Sequence, residues 1–262
     1  MPLDQLYRDA LIFIVVMGII TFVVTLMGEG GYGRHLKSNK ATMPAKTAWL
    51  LFECPQLFAF ALTYWLVVGS PSLPSVCLFA VWQCHYVYRG LIYPLRRRDA
   101  GQRFPLVNVV MGFVFNALNG FVNAYAVSHA AHLQSAAWLG QPVFWLGAGV
   151  AALGWVTNFQ ADNILLNLRS PGAAQGAAQG VEAPRYKIPY GGAFRWVSSA
   201  NYLGEIVWWL GWALMCNTAA GWVFWFFTLS NLVPRAWNNH RWYLQKFPDY
   251  PKDRKAVLPY LL

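Results

Sequence analysis

An all-α membrane protein with seven transmembrane helices is the fold class this sequence predicts, and three observations carry the expectation. Of 262 residues, 57% are hydrophobic and only 11% are charged, well below the roughly 25% charged residues of an ordinary soluble domain. The apolar residues gather into stretches near the ~20 residues needed to cross a hydrocarbon core. The basic residues alternate from loop to loop. Several spans leave room for loops but not for a separate soluble domain, so residues 1–262 read as a single seven-helix transmembrane domain.

The first span is expected over about residues 10–28. Its apolar run, Leu11 to Met27, has no convincing small-residue cleavage site and is followed by further spans, so it reads as a retained helix. The second, about 47–68, carries Glu53 two residues before Pro55. The third, about 74–94, places Trp82, Tyr86, Arg89 and Tyr93 at i, i+4, i+7 and i+11, one helix face. A fourth covers about 106–128. The fifth, about 142–168, leads a face of Asn158, Asp162 and Arg169. The sixth, about 199–216, has Asn201 and Glu205 one turn apart. The seventh, about 219–240, begins a face of Arg235, Asn239 and Trp242 or Tyr243.

Charge position orients the bundle. Arg34, Lys37, Lys40 and Lys46 follow span 1; Arg96, Arg97, Arg98 and Arg103 follow span 3. Arg169, Arg185, Lys187 and Arg195 follow span 5, and Arg235, Arg241, Lys246, Lys252, Arg254 and Lys255 close the chain. The alternate loops near 69–73, 129–141 and 217–218 have none, and only Arg8 and Arg89 lie elsewhere. The positive-inside rule then puts the N-terminus on the non-cytoplasmic side and the C-terminus in the cytoplasm. The chain is expected to be integral and multi-pass, in a bacterial inner membrane or an endoplasmic reticulum membrane according to host. A net charge of +10 would suggest nucleic acid in a soluble protein. Here it serves topology, membrane lipid or an anionic cofactor, and no nucleic-acid partner is expected.

Ionisable groups at membrane depth are costly. Glu53, Arg89, Asp162 and Glu205 are the four that stand out, and their polar faces should converge on one cavity near the basic loops. Such a cavity suits something large and anionic, for which a phosphorylated nucleotide qualifies: arginines pair with phosphates, and carboxylates and amides hold ribose hydroxyls or a carboxamide. The structural alternative is a set of buried ion pairs that only fix packing.

The remaining signals are weak. Cys54, Cys77, Cys84 and Cys216 form no CxxC pair and read as small core residues. Gly28, Gly30 and Gly33 match GxGxxG without a preceding strand and read as a span exit. His129 and His132 lack a third ligand, so no metal is expected. The Gly-Ala-Ala-Gln repeat at 172–180 reads as a flexible insert. No P-loop, GxSxG or HExxH is present.

With these residues assembled, the chain resembles the steroid 5α-reductase family. The stretches that carry the resemblance are Tyr186 to Phe194 running into Val197 to Ile206, and His240 to Pro259. Asn158 to Arg169, His85 to Arg89 with Tyr93, and Trp49 to Glu53 before Pro55 follow in the right order. The resemblance implies a seven-helix membrane enzyme with NADPH in a cytoplasm-facing cavity, reducing the C4–C5 double bond of a 3-oxo-Δ4-steroid that arrives from the bilayer. It implies that Glu53 and Tyr86 contact the 3-keto oxygen. It implies a cofactor site of Tyr32, Arg89, Tyr93, Arg98, Asn158, Asp162, Arg169, Tyr186, Asn201, Glu205 and Tyr243, to which Asn239 is added from its polar face. Three departures stand out: the repeat lengthens the loop before Tyr186, Asn238-Asn239-His240 replaces a His-rich run, and Lys187 stands where arginine is common. Hydride addition to an enone leaves negative charge on the carbonyl oxygen. Tyr86 can donate there through its phenol, and Glu53 can donate when it carries its proton. A related reductase of polyprenol, enoyl-thioester or other sterol bonds, an isoprenylcysteine-type methyltransferase and a small transporter are the competing readings. The oligomeric state stays open, a monomer being sufficient.

Overall fold

The computed structural model describes residues 2–27, 41–97, 103–168 and 187–262. Helices occupy every stretch expected as a span. They are α1 (Leu3–Leu26), α2 (Ala45–Val67), α3 (Leu73–Tyr86), α4 (Tyr93–Arg96), α5 (Leu106–His129), α6 (Pro142–Leu168), α7 (Ala200–Cys216) and α8 (Ala219–Lys246). The third expected span is α3 and α4 joined through Val87–Ile92, where hydrogen bonding widens to the π pattern. Among the described residues, four helices are long and apolar enough to cross a membrane: α1, α2, α5 and α6. The other three fall short for visible reasons. The π turn divides the third span, α7 has only 17 residues, and α8 extends to Lys246 through a polar half containing Asn231, Arg235, Asn239 and His240.

Two helix pairs form the frame. α2 lies along α5, and the short strands ahead of them, β1 (Thr42–Pro44) and β2 (Arg103–Pro105), pair antiparallel. Arg103 fastens that ribbon by donating to the Thr42 hydroxyl and carbonyl, each at 2.7 Å. α6 lies along α7, and glycine sets their separation. A Cβ on Gly154 would fall 2.2 Å from the Trp208 backbone nitrogen, and one on Gly204 would fall 2.4 Å from that of Asn158. Backbones this close are the membrane solution to helix association, since lipid tails compete with any larger apolar side chain.

The outer face is correspondingly apolar. On α1 only Ala10, Ile14, Gly18 and Thr25 are buried, forming one stripe against α8 and α5, while Ile12, Phe13, Val16, Ile19 and Val23 face outward. The Tyr125 phenol donates to Asp4, tying the start of α1 to the end of α5. Asn238 donates to the Thr25 carbonyl at 2.9 Å, tying the end of α1 to α8. Cys84 corrects the expectation that all four cysteines are core residues: it is exposed. In a membrane protein an apolar neighbourhood in sequence does not distinguish interior from lipid.

The Gly-x-x-Gly segment 28–33, Tyr32, Arg98, Arg169, Tyr186 and the repeat at 172–180 lie outside the described residues.

Substituting Gly154→Ala should force α6 off α7. Overpacking of about 1–3 kcal/mol lowers the thermal midpoint of detergent-purified protein by at least about 3 °C. An unchanged midpoint contradicts the close helix contact.

Candidate functional site

The π turn decides where the site forms. It carries Arg89 and Gly90, both buried, and Gly90 runs against the backbone of Glu53 and Cys54 on α2. The Cys54 thiol donates weakly to the Gly90 carbonyl at 3.6 Å. A single-turn widening of this kind realigns a side chain without ending the helix, a device common at functional sites. Here it turns the Arg89 guanidinium inward.

Three carboxyl groups from three other helical stretches meet it. Arg89 Nη1 donates to Asp162 Oδ2 of α6 at 2.9 Å, Nη2 donates to Glu205 Oε1 of α7, and Nε lies 3.9 Å from Glu53 Oε1 of α2. The guanidinium also sits 5.1 Å from the Trp49 ring and 5.0 Å from the Tyr93 ring. Trp49 precedes Glu53 by one turn of α2, so a single helix face supplies both an aromatic plate and an acid. Only 7% of Arg89 is exposed, and Asp162 is 1% exposed. Removing a guanidinium from water this completely requires such partners. Each carboxylate offers about four lone-pair sites, so acceptors remain for amide or hydroxyl donors of a bound molecule.

Tyr86 stands one turn before Arg89, close enough to feel the charges of Glu53, Glu205 and Arg89. Its ring belongs to an aromatic wall: Trp82 at 5.1 Å, Trp209 at 5.8 Å, and behind them Trp212 and Phe224. A charged cluster therefore adjoins an apolar, ring-lined interior, with the Tyr86 phenol at the boundary.

Among the other expected residues, Asn158 and Asn201 lie on the helices that carry Asp162 and Glu205. Asn158 is buried on α6 and donates to the Asn201 carbonyl at 2.9 Å, joining α6 to the first turn of α7. Tyr93 is buried beside Trp49. Tyr243 stacks on Tyr250 at 5.0 Å, and Asn239 is half-buried on α8. Arg235 is taken up locally by Asn231 Oδ1 at 2.7 Å. The structure thus brings Glu53, Tyr86, Arg89, Tyr93, Asp162 and Glu205 together, with Asn158 and Asn201 alongside. Tyr32, Arg98, Arg169 and Tyr186 remain outside the described residues.

The C-terminal segment latches the start of α7. Lys255 N–H donates to the Trp196 carbonyl, and the Ser198 and Ser199 N–H groups donate to Lys255 and Ala256. Tyr250 donates to the Ser198 hydroxyl at 2.7 Å, which pairs with His240 Nδ1 at 2.6 Å. The buried Arg254 donates to the Pro189 carbonyl at 3.0 Å and lies over Tyr190 and Tyr250. Two motifs far apart in sequence, 187–205 and 240–259, are thereby one structural unit holding Asn201 and Glu205.

Sequence reasoning passed over a row of buried amides, Asn116, Asn119 and Asn123 on α5 with Gln56 on α2. Their i, i+3, i+7 spacing was the available signal.

The donor set can be compared with a nicotinamide dinucleotide. Trp49 Nε1 and Ser199 Oγ are buried polar atoms with no hydrogen-bond partner among the described residues. Carboxylate acceptors, a guanidinium, indole and hydroxyl groups and aromatic faces fit a ring that bears an amide and a ribose that bears hydroxyls.

Comparison with known proteins agrees with this chemistry. A sequence model described as 3-oxo-5-alpha-steroid 4-dehydrogenase matches residues 102–262. The chain is 40% identical to steroid 5-alpha-reductase DET2 of Solanum lycopersicum over 98% of each chain. It is 38% identical to 3-oxo-5-alpha-steroid 4-dehydrogenase 1 of Homo sapiens, over 94% of this chain and 91% of that one. The Bos taurus protein of the same name is 35% identical over 99% and 98%.

Arg89→Met should be far more damaging than loss of one acid. The buried Asp162 and the half-buried Glu53 and Glu205 would lose their common partner, at a cost of about 3–5 kcal/mol. Adding Glu205→Gln should recover part of the folded yield. Thermal unfolding of the single and double variants in detergent reads this directly, and a wild-type midpoint for Arg89→Met contradicts it.

Proposed function

The chain belongs to the 3-oxo-5-alpha-steroid 4-dehydrogenase family, an oxidoreductase family, and from that premise we propose that it uses NADPH to saturate the C4–C5 double bond of a 3-oxo-Δ4-steroid. The observation that carries the proposal is the placement of Tyr86 and Glu53 beside the Arg89 cluster, at the edge of the tryptophan-lined interior. The family relatives support the reaction, and the chemistry of the cluster supports the assignment of roles.

We assign residues 1–262 to one reductase domain of seven spans, with the three less apolar helices crossing alongside the other four. The N-terminus faces the non-cytoplasmic side and the basic loops face the cytoplasm, the side from which NADPH enters. The steroid arrives from the bilayer, its ketone toward Tyr86 and its flat apolar body on the aromatic side of the site.

When bound, NADPH supplies the hydride. Asp162, Glu205, Asn158 and Asn201 would hold the nicotinamide end, and Arg89, lying against the Trp49 and Tyr93 rings, fixes the two carboxylates. Tyr93, Asn239, Tyr243 and, from outside the described residues, Tyr32, Arg98, Arg169 and Tyr186 complete the cofactor site. Tyr86 donates a hydrogen bond to the steroid oxygen as negative charge builds there, and Glu53 in its neutral form donates the second. The apolar wall keeps water from that oxygen, so each donor acts in a low-dielectric setting.

NADPH oxidation by detergent-purified protein with testosterone or progesterone, followed by mass analysis, should give the 5α-dihydro product. Absence of that product with both steroids rejects the substrate class, and binding of S-adenosylmethionine in place of NADPH would favour a methyltransferase. Glu53→Gln should keep cofactor affinity and lower turnover roughly tenfold or more, while unchanged turnover removes Glu53 from the mechanism. Asp162→Ala should weaken NADPH binding, and a wild-type titration curve would sink that assignment.

A further inference from the structure

We infer that Gln56, Asn116, Asn119 and Asn123 form a one-way hydrogen-bond relay that positions Glu53, an inference that rests on the role given to Glu53 above. The relay starts at Trp212 of α7, whose indole Nε1 donates to Asn123 Oδ1 at 3.0 Å. Asn123 Nδ2 donates to Asn119 Oδ1 at 3.0 Å, and Asn119 Nδ2 donates to Gln56 Oε1 at 3.3 Å. Gln56 Nε2 donates to Asn116 Oδ1 at 2.9 Å, and Asn116 Nδ2 donates to the Phe52 carbonyl. That carbonyl belongs to the residue immediately before Glu53.

The polarity of the relay is dictated by its ends. An indole N–H can only donate and a backbone carbonyl can only accept, so every amide between them has one permitted orientation. Flipping any one would set donor against donor on one side and acceptor against acceptor on the other. All four amides are buried, Gln56 and Asn119 at 0% exposure. In an interior of this kind a satisfied chain is rigid and a broken one is costly.

The place where the relay ends needs support. Pro55 lies inside α2 and has no N–H, so the helix turn that carries Glu53 lacks one of its own hydrogen bonds. Asn116 braces that turn from α5, and Trp82 Nε1 braces it from α3 by donating to the Gln56 carbonyl at 3.2 Å. Gly112 and Gly120, on the same α5 face, let α2 approach closely enough for the bonds to form: a Cβ at Gly112 would meet the Phe52 ring at 1.9 Å. Glu53 makes a long contact with Arg89, 3.9 Å, and the brace fixes the backbone from which its side chain reaches that contact. The relay also joins the acid to the ring wall, because Trp212 packs on Trp82 at 4.9 Å. Gln56, Asn116, Asn119 and Asn123 are therefore positioning residues, acting through Glu53.

Two variants test the relay. Asn116→Leu keeps the branched shape of the side chain and removes both bonds at the Phe52 end. It should speed hydrogen exchange of the α2 backbone around Glu53, leave NADPH affinity within about twofold, and lower kcat roughly tenfold. Gln56→Glu tests the polarity: a neutral acid can donate to Asn116 as the amide does, whereas a carboxylate cannot. The residues its side chain meets, Asn116 and Asn119 on α5, do not titrate, nor does Trp82 on α3, and Glu53 lies three residues earlier on α2. The kcat of Gln56→Glu relative to wild type should therefore recover as pH falls through the titration of that acid, which desolvation moves above the ordinary glutamate range. A ratio unchanged from about pH 5 to about pH 10 overturns the relay even if Asn116→Leu fails to fold. Hydrogen exchange needs no substrate. Unchanged exchange in Asn116→Leu overturns the relay whatever the activity. Faster exchange in a protein whose wild type reduces no enone steroid rejects the reaction assigned to Glu53 and leaves the brace standing.

Discussion

A guanidinium enclosed among membrane helices is the constraint on which the rest of this structure depends. Arg89 is buried, and an unpaired cation at that depth is too costly to persist. It obliges α2, α6 and α7 each to present a carboxyl group at one point. Meeting that demand explains features that look unrelated. The π turn rotates Arg89 inward, glycines let α6 and α7 approach until Asp162 and Glu205 share it, and Pro55 sits where α2 must pass Gly90.

The same arrangement separates two chemistries within a short distance. Three carboxyl groups and the Trp49 and Tyr93 rings surround the guanidinium, whereas Trp82, Trp209, Trp212 and Phe224 line the interior beyond Tyr86. A polar nucleotide ring and an apolar ketone could meet at such a boundary without either entering the wrong medium. The C-terminal latch adds stiffness. Ser198, His240, Tyr250 and Arg254 hold the chain entering α7, and so fix where Glu205 begins its climb toward Arg89.

Much of this was legible in the sequence because charge is expensive in lipid. Glu53, Arg89, Asp162 and Glu205 stood out against apolar neighbours, and the structure gathers them. Helix positions followed from apolar length for α1, α2, α5 and α6, whereas a π turn shortens α3, α7 has 17 residues and α8 carries a polar half. Cys84 was misplaced because lipid and protein interior look alike to an apolar pattern. The amide row on α5 went unnoticed because neutral Asn and Gln carry no charge penalty, and their meaning appears only when α2 supplies Gln56 and the Phe52 carbonyl. The pairing of 187–205 with 240–259 involves long-range backbone bonds that no local spacing encodes.

The most direct measurement is an experimental density map of the protein purified in lipid nanodiscs with saturating NADPH. Density for the nicotinamide ring is expected against Asp162, Glu205 and Arg89, with its hydride-bearing face turned to the cavity beside Tyr86. A dinucleotide bound with its nicotinamide elsewhere in the bundle, or a map in which none binds, contradicts the central claim.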